Sequence, residues 1–224
     1  IPARAGSTRL YNKNILECAG KPLLVWSIEA ALAAKTVSRV IVSSDSAKYR
    51  AIAEQHGAIG IDQPGASGKS RIEAALRYAI SQSVETPDMV VTLQPTSPVR
   101  RDGLIDDCVI YLAHRPMLAS VFTAHVAGVV YRREQVEPGS MLWVNQFGAR
   151  RIPQSQEWAP DDTYLAEDGS VFVTRVPALL EQDERRAQPA WPIANERTVD
   201  IDTRADFAMA EMMLLARQAK RGAA

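Results

Sequence analysis

SRVIVSSDSAKYRAIAEQHGAIGI, residues 38–61, changes its hydrophobic period twice. Residues 38–45 carry the β-branched run Val40, Ile41 and Val42 and then turn polar, which predicts a short strand ending in Ser43, Ser44 and Asp45. KYRAIAEQHG, residues 48–57, suits a helix stopped by Gly57, and AIGI, residues 58–61, suits another short strand. A strand, a helix and a strand in so short a span make a βαβ unit. Such units imply an α/β fold with a mainly parallel sheet covered by helices on both faces. Ligands in these sheets sit beyond the carboxyl ends of the strands, so the polar tail at Ser43, Ser44 and Asp45 is a place to look for chemistry.

The same alternation extends in both directions. An amphipathic helix is predicted over about 22–34, another in SRIEAALRYAISQ (70–82), and a buried strand in DMVVTLQPTSP (88–98), broken by Pro95 and Pro98. That strand also ends in polar residues, Gln94, Thr96 and Ser97. From about 120 to 164, apolar runs alternate with polar turns (SVFTAHVAGVVYRRE, then SMLWVNQFGARRI), which predicts antiparallel pairs. We expect one domain over 1–224, with a dimerisation arm, lid or set of edge strands at about 122–164. DGSVFVTRV (168–176) returns to the central sheet, and a strand-like VDID (199–202) precedes a long closing helix.

Composition narrows the function. Lysine plus arginine and aspartate plus glutamate both number 26, so no global field draws nucleic acid or an anionic membrane, and any anion site must be local. Cys18 and Cys108 have no metal-type spacing and read as small core residues. No run of about 18 apolar residues and no leader pattern is present, so a soluble cytoplasmic protein is expected.

The opening IPARAGSTRLYNKNI (1–15) concentrates Arg4, Gly6, Ser7, Arg9, Lys13 and Asn14 in one small-residue loop, a local anion site. GASGKS (65–70) looks like the end of a phosphate-cradling P-loop, but the position needing its first glycine is Gln63. Ser67 or Ser70 as a helix N-cap fits better, with Lys69 or Arg71 able to reach an anion. His56, His114 and His125 share no spacing with a nucleophile, and no G-x-S-x-G elbow exists. In VDID, Asp200 and Asp202 are two apart and share a face, with Asp206 just inside the next helix. Two adjacent acids repel unless a cation such as Mg²⁺ sits between them; the alternative is one acid capping the helix and the other solvated. A cationic loop together with a divalent cation suits attack on a nucleoside triphosphate.

Taken in order, IPARAGSTRLYNKNI, VIVSSDS (40–46), LQPTSPVR (93–100), DGSVFV (168–173) and VDIDTRADF (199–207) resemble the CMP-sialic acid synthetases, or acylneuraminate cytidylyltransferases, relatives of the Kdo-activating enzymes. The resemblance implies a three-layer Rossmann-like sheet of the nucleotide-diphospho-sugar transferase type, CTP as co-substrate, Mg²⁺, a sugar-acid acceptor and a homodimer. It implies triphosphate and ribose contacts from Arg4, Ala5, Gly6, Ser7, Arg9, Lys13 and Asn14, with Ser44 and Asp45 near the cytosine. Gln94, Thr96, Ser97 and Arg100 would form the acceptor wall, Arg150 and Arg151 would hold its carboxylate, and Asp200 and Asp202 would bind the metal. Arg4, Lys13 and Asp202 are the implied catalytic groups. Asp168 and Phe172 fall at acceptor-site positions where that family usually has asparagine and tyrosine, Gln63 where an arginine is common, and Thr8 where the sialate branch has lysine. The implied acceptor is therefore a nonulosonate, Kdo, another keto acid or a small phosphonate; a non-catalytic nucleotide-binding relative is the remaining alternative.

Overall fold

Ser46 caps the first βαβ helix: its Oγ accepts from the Tyr49 N–H at 3.4 Å. The structure, a computed structural model, describes residues 1–7, 9–63, 71–127, 131–137, 140–145 and 164–222. Its strands are β1 (Glu17–Cys18), β2 (Lys21–Pro22), β3 (Ile41–Ser44), β4 (Ile59–Asp62), β5 (Met89–Thr92), β6 (Ser120–Val126), β7 (Tyr131–Glu137), β8 (Ser140–Asn145), β9 (Leu165–Arg175) and β10 (Ala190–Ala194). The helices are α1 (Leu23–Ala33), α2 (Ala47–Gln55), α3 (Ile72–Ser81), α4 (Leu104–Ala113), α5 (Val176–Gln182) and α6 (Arg204–Gly222).

β3 and β4 pair in parallel from Ile41 opposite Ile59 to Ser44 opposite Asp62, with α2 as the crossover. The first residues run along the other edge of β3: Ala3 N donates to Ser43 O at 2.9 Å and Ser43 N to Ile1 O at 3.0 Å. A second sheet has the order β10-β6-β9-β5. There β10 is parallel to β6, but β9 is antiparallel to both β6 and β5. The α/β class holds: β10, β6 and β5 run in one direction and β9 alone among them runs the other way, so the sheet is mainly parallel with one reversed strand. β9 follows the antiparallel β7–β8 pair with no crossover helix among the described residues to turn it parallel. The closing VDID likewise makes no ladder: it is an extended tie whose Ile201 N donates to Thr96 O at 2.8 Å.

Alternation along β9 separates the two covering layers. Val171 and Val173 belong to a core with Leu24 and Ile28 of α1, Tyr49 and Ala53 of α2, and Leu104, Cys108 and Leu112 of α4. The intervening Phe172 and Thr174 meet the segment after α5: the Arg185 guanidinium lies 4.6 Å from the Phe172 ring, and Thr174 Oγ1 donates to Arg185 O. α3 is tied to that layer by Arg77 Nη1 donating to Leu180 O at 3.0 Å. A smaller core joins Ala210 and Leu214 of α6 to Leu23, Cys18, Val99 and Ile201. Both thiols are buried as expected, and burial raises Cys18 to about 11 and Cys108 to about 12. No helix among the described residues is long and apolar enough to cross a membrane.

Candidate active site

The cationic opening loop is held from below by β3. Asp45 Oδ1 accepts from the Ala5 N–H at 2.8 Å, and Asn14 Nδ2 donates to Arg4 O at 3.1 Å. Gly6, at φ +72°, and Asn12, at φ +51°, bend the chain back so that Lys13 and Asn14 enter a short 3-10 turn and become buried. Asn14 Oδ1 has no hydrogen-bond partner among the described residues, which leaves a buried acceptor beside the cleft.

That cleft, of about 260 Å³, is lined by Arg4, Ser7, Arg9, Lys13 and Asn14 from the loop, by Gln94, Pro95 and Thr96 after β5, by Ile72 at the start of α3, and by Asp202. Segments from near both ends of the sequence therefore meet at this cleft. Lys13 Nζ donates to Ile201 O and lies 3.3 Å from Asp202 Oδ1, while Arg9 Nη1 pairs with Asp202 Oδ2. Ile201 is fully buried between Asp200 and Asp202, so it anchors the acids while they project from the tie.

Asp206 is not part of an acid cluster. Its Oδ2 accepts from Thr203 N at 2.8 Å and from Asp202 N at 3.1 Å, and its own N–H donates to Thr203 Oγ1 at 3.2 Å. This is a reciprocal capping box that opens α6 and fixes the Asp202 backbone. Among the described residues no group of three or more histidine, cysteine, aspartate or glutamate side chains is placed to hold a metal. Asp202 in the cleft and the exposed Asp200 are the carboxylates that a hard cation of the Mg²⁺ kind would use, since such a cation commonly takes one or two protein carboxylates and fills its shell with water and phosphate oxygens.

Other expected site residues lie off the cleft surface. Ser44 is buried, and its Oγ accepts from Ser46 N at 3.1 Å. The Arg100 guanidinium is buried and donates to Ser170 O (2.7 Å), Ser27 Oγ (2.9 Å) and Gln94 O (2.7 Å), pinning β9, α1 and the Gln94 turn together. Burial lowers it to about 9, against the opposing pull of Asp168. Asp168 is buried as well: it accepts from Thr123 Oγ1, from Ser170 N at 2.9 Å and from Asn195 Nδ2 at 2.7 Å. Its carboxylate oxygens are thus satisfied within the fold. Phe172 is fully buried beneath Arg185. Ser97 Oγ links the two halves of the region, 3.2 Å from Asp168 O and 3.4 Å from Asp200 Oδ1. Thr8, Ser67, Lys69, Ser70, Arg150 and Arg151 lie outside the described residues.

Sequence reading missed Ile72 and Leu10 as cleft walls, and Thr123 and Asn195 as partners of Asp168. The Asp206 cap was legible in the T-x-x-D spacing before an apolar helix.

A cationic loop, the Asp202 end of the acidic tie and a polar post-β5 turn line one cleft in an α/β frame, an arrangement of nucleotidyltransferase type. The family model described as Cytidylyltransferase matches residues 1–144, and the chain belongs to that family. It is 30% identical over 217 residues to the N-acylneuraminate cytidylyltransferase of Escherichia coli O18:K1:H7, a match covering 94% of this chain and 50% of that protein. It is 27% identical over 225 residues to the CMP-N,N'-diacetyllegionaminic acid synthase of Legionella pneumophila, covering 96% of this chain and 94% of that one. The chain thus spans about half the length of the first relative and nearly all of the second. Its fold is shared with a solved CMP:2-keto-3-deoxy-manno-octonic acid synthetase complexed with CTP, at TM-score 0.70 and 20% identity, with 97% of each chain covered.

Proposed function

We propose that the protein transfers CMP from CTP to the anomeric hydroxyl of a nonulosonic, sialic-type acid and releases pyrophosphate. The observation that carries this reading is the single cleft shared by Arg4, Arg9, Lys13, Gln94, Thr96 and Asp202. Arg4, Ser7 and Arg9 would bind the triphosphate, and the buried Asn14 Oδ1 would accept from a ribose hydroxyl. Gln94 and Thr96 would position the acceptor, and Lys13 would keep the acidic tie against the loop. Mg²⁺ held by Asp200 and Asp202 would supply charge neutralisation at the leaving pyrophosphate. Positioning and electrostatics then do most of the catalysis, since in-line phosphoryl transfer asks for little covalent work from the protein. Activity as a cytoplasmic homodimer with β7–β8 as its arm belongs to the same reading, and sedimentation of the full chain tests the assembly.

The test is a pyrophosphate-release screen with CTP and Mg²⁺ against sialic, legionaminic and pseudaminic acids, Kdo and small phosphonates. One nonulosonate is expected to release pyrophosphate, and Asp202→Ala to slow that release by about a hundredfold or more. Release with none of the acceptors, or wild-type turnover by Asp202→Ala, overturns the reading.

A further inference from the structure

Among the described residues Asp202 is the one acid that lines the cleft, and both of its oxygens already face cations: Arg9 at Oδ2 and Lys13 at Oδ1, 3.3 Å away. Arg4, Arg9 and Lys13 line the cleft beside Asp202, so a free dication meets a locally positive site. The two cations differ in how firmly they are held. The Lys13 side chain is 9% exposed and also donates to Ile201 O, which fixes it to the backbone of the tie. The Arg9 side chain is 70% exposed and among the described residues bonds only to the carboxylate, so it can swing towards other oxygens in the same cleft.

We propose that Arg9 masks Asp202 in the nucleotide-free protein, so that a divalent cation enters only together with a triphosphate. This ordering rests on the metal and triphosphate assignments made above. A triphosphate brings several negative oxygens into the cleft. Arg9 transfers its guanidinium from Asp202 Oδ2 to those oxygens, and the released carboxylate becomes a metal ligand. Lys13 stays on Ile201 O throughout and keeps the tie in place. The exchange is a swap of ion pairs, with no covalent bond made or broken. Its direction follows from charge: a dication next to Arg9 and Lys13 is repelled until the phosphate oxygens outweigh them.

The experiment measures Mn²⁺ binding by electron paramagnetic resonance on the full chain, with MnCl₂ alone, with inorganic tripolyphosphate and with CTP. Wild-type protein is expected to take up little Mn²⁺ alone and one equivalent with either phosphate compound. Arg9→Gln is expected to bind Mn²⁺ alone about fivefold more tightly than wild type, the equivalent of one exposed ion pair removed from the carboxylate. Asp202→Asn is expected to abolish uptake under all three conditions. If wild type binds Mn²⁺ alone as tightly as with tripolyphosphate, or if Arg9→Gln leaves binding unchanged, the masking is wrong. Uptake with tripolyphosphate but not with CTP leaves the masking standing and overturns the cytidylyl reading instead.

Discussion

Gly169 sits at φ +70°, and a Cβ built there would lie 2.7 Å from Ser97 Oγ. Conformation and space both restrict the position to glycine, and they do so where Ser97 bridges Asp168 O and Asp200. Gly169→Ala is expected to cost about 2 kcal/mol in urea unfolding and to push Ser97 away from Asp200. A variant as stable as wild type would show that the turn relaxes freely. The chemistry of neighbouring Asp168 was only half legible. The acid itself could be read from the sequence. Its partners Thr123 and Asn195 come from β6 and the end of β10, and nothing local to Asp168 points to them. Arg100 was misplaced for the same reason: its three acceptors lie on α1, after β5 and on β9, and only packing brings them together.

At the scale of elements, α6 owes its starting point to the Thr203–Asp206 box. The hydrogen bond from the Thr203 hydroxyl, followed by those from the Thr203 and Asp202 N–H groups, holds the Asp206 carboxyl below the usual carboxylate range. A carboxyl with a depressed folded pKa stabilises above its unfolded value, near about 3.9, and loses that contribution as pH falls through the folded value. Asp206→Ala is therefore expected to cost about 1 kcal/mol at pH 7, with the gap to wild type closing in melts taken below about pH 4. A gap independent of pH would mean that the carboxylate is not the stabilising group. The strongly patterned α1, α2 and α3 and strands β3, β4 and β5 were legible because period and stop signals agree there. α4 was passed over although Gly103, the first-turn acids Asp106 and Asp107 and the buried Leu104, Ile105, Cys108 and Leu112 carry its signal. The direction of β9 was hidden, because strand orientation is set by the connection and not by the strand's own residues.

For the whole molecule, the site is assembled from segments near both ends of the sequence and joined by Lys13 to Ile201 O and Asp202. Ligand in the cleft must steady both segments at once. Hydrogen exchange with and without CTP and Mg²⁺ is expected to show added protection at residues 4–14 and 199–206 together; protection of only the first segment would separate the loop from the acids. Charge balance was fully legible at this scale, and the cleft gathers its cations locally within a chain that has 26 basic and 26 acidic residues. The two deeply packed thiols have a practical consequence. With Cys18 and Cys108 raised to about 11 and about 12, neither forms appreciable thiolate near neutrality, so maleimide reagents have no native target. Tyr11→Cys, at a side chain 77% exposed in the opening loop, would then accept a single fluorophore in an otherwise wild-type background, placing an optical reporter of ligand arrival beside the cleft.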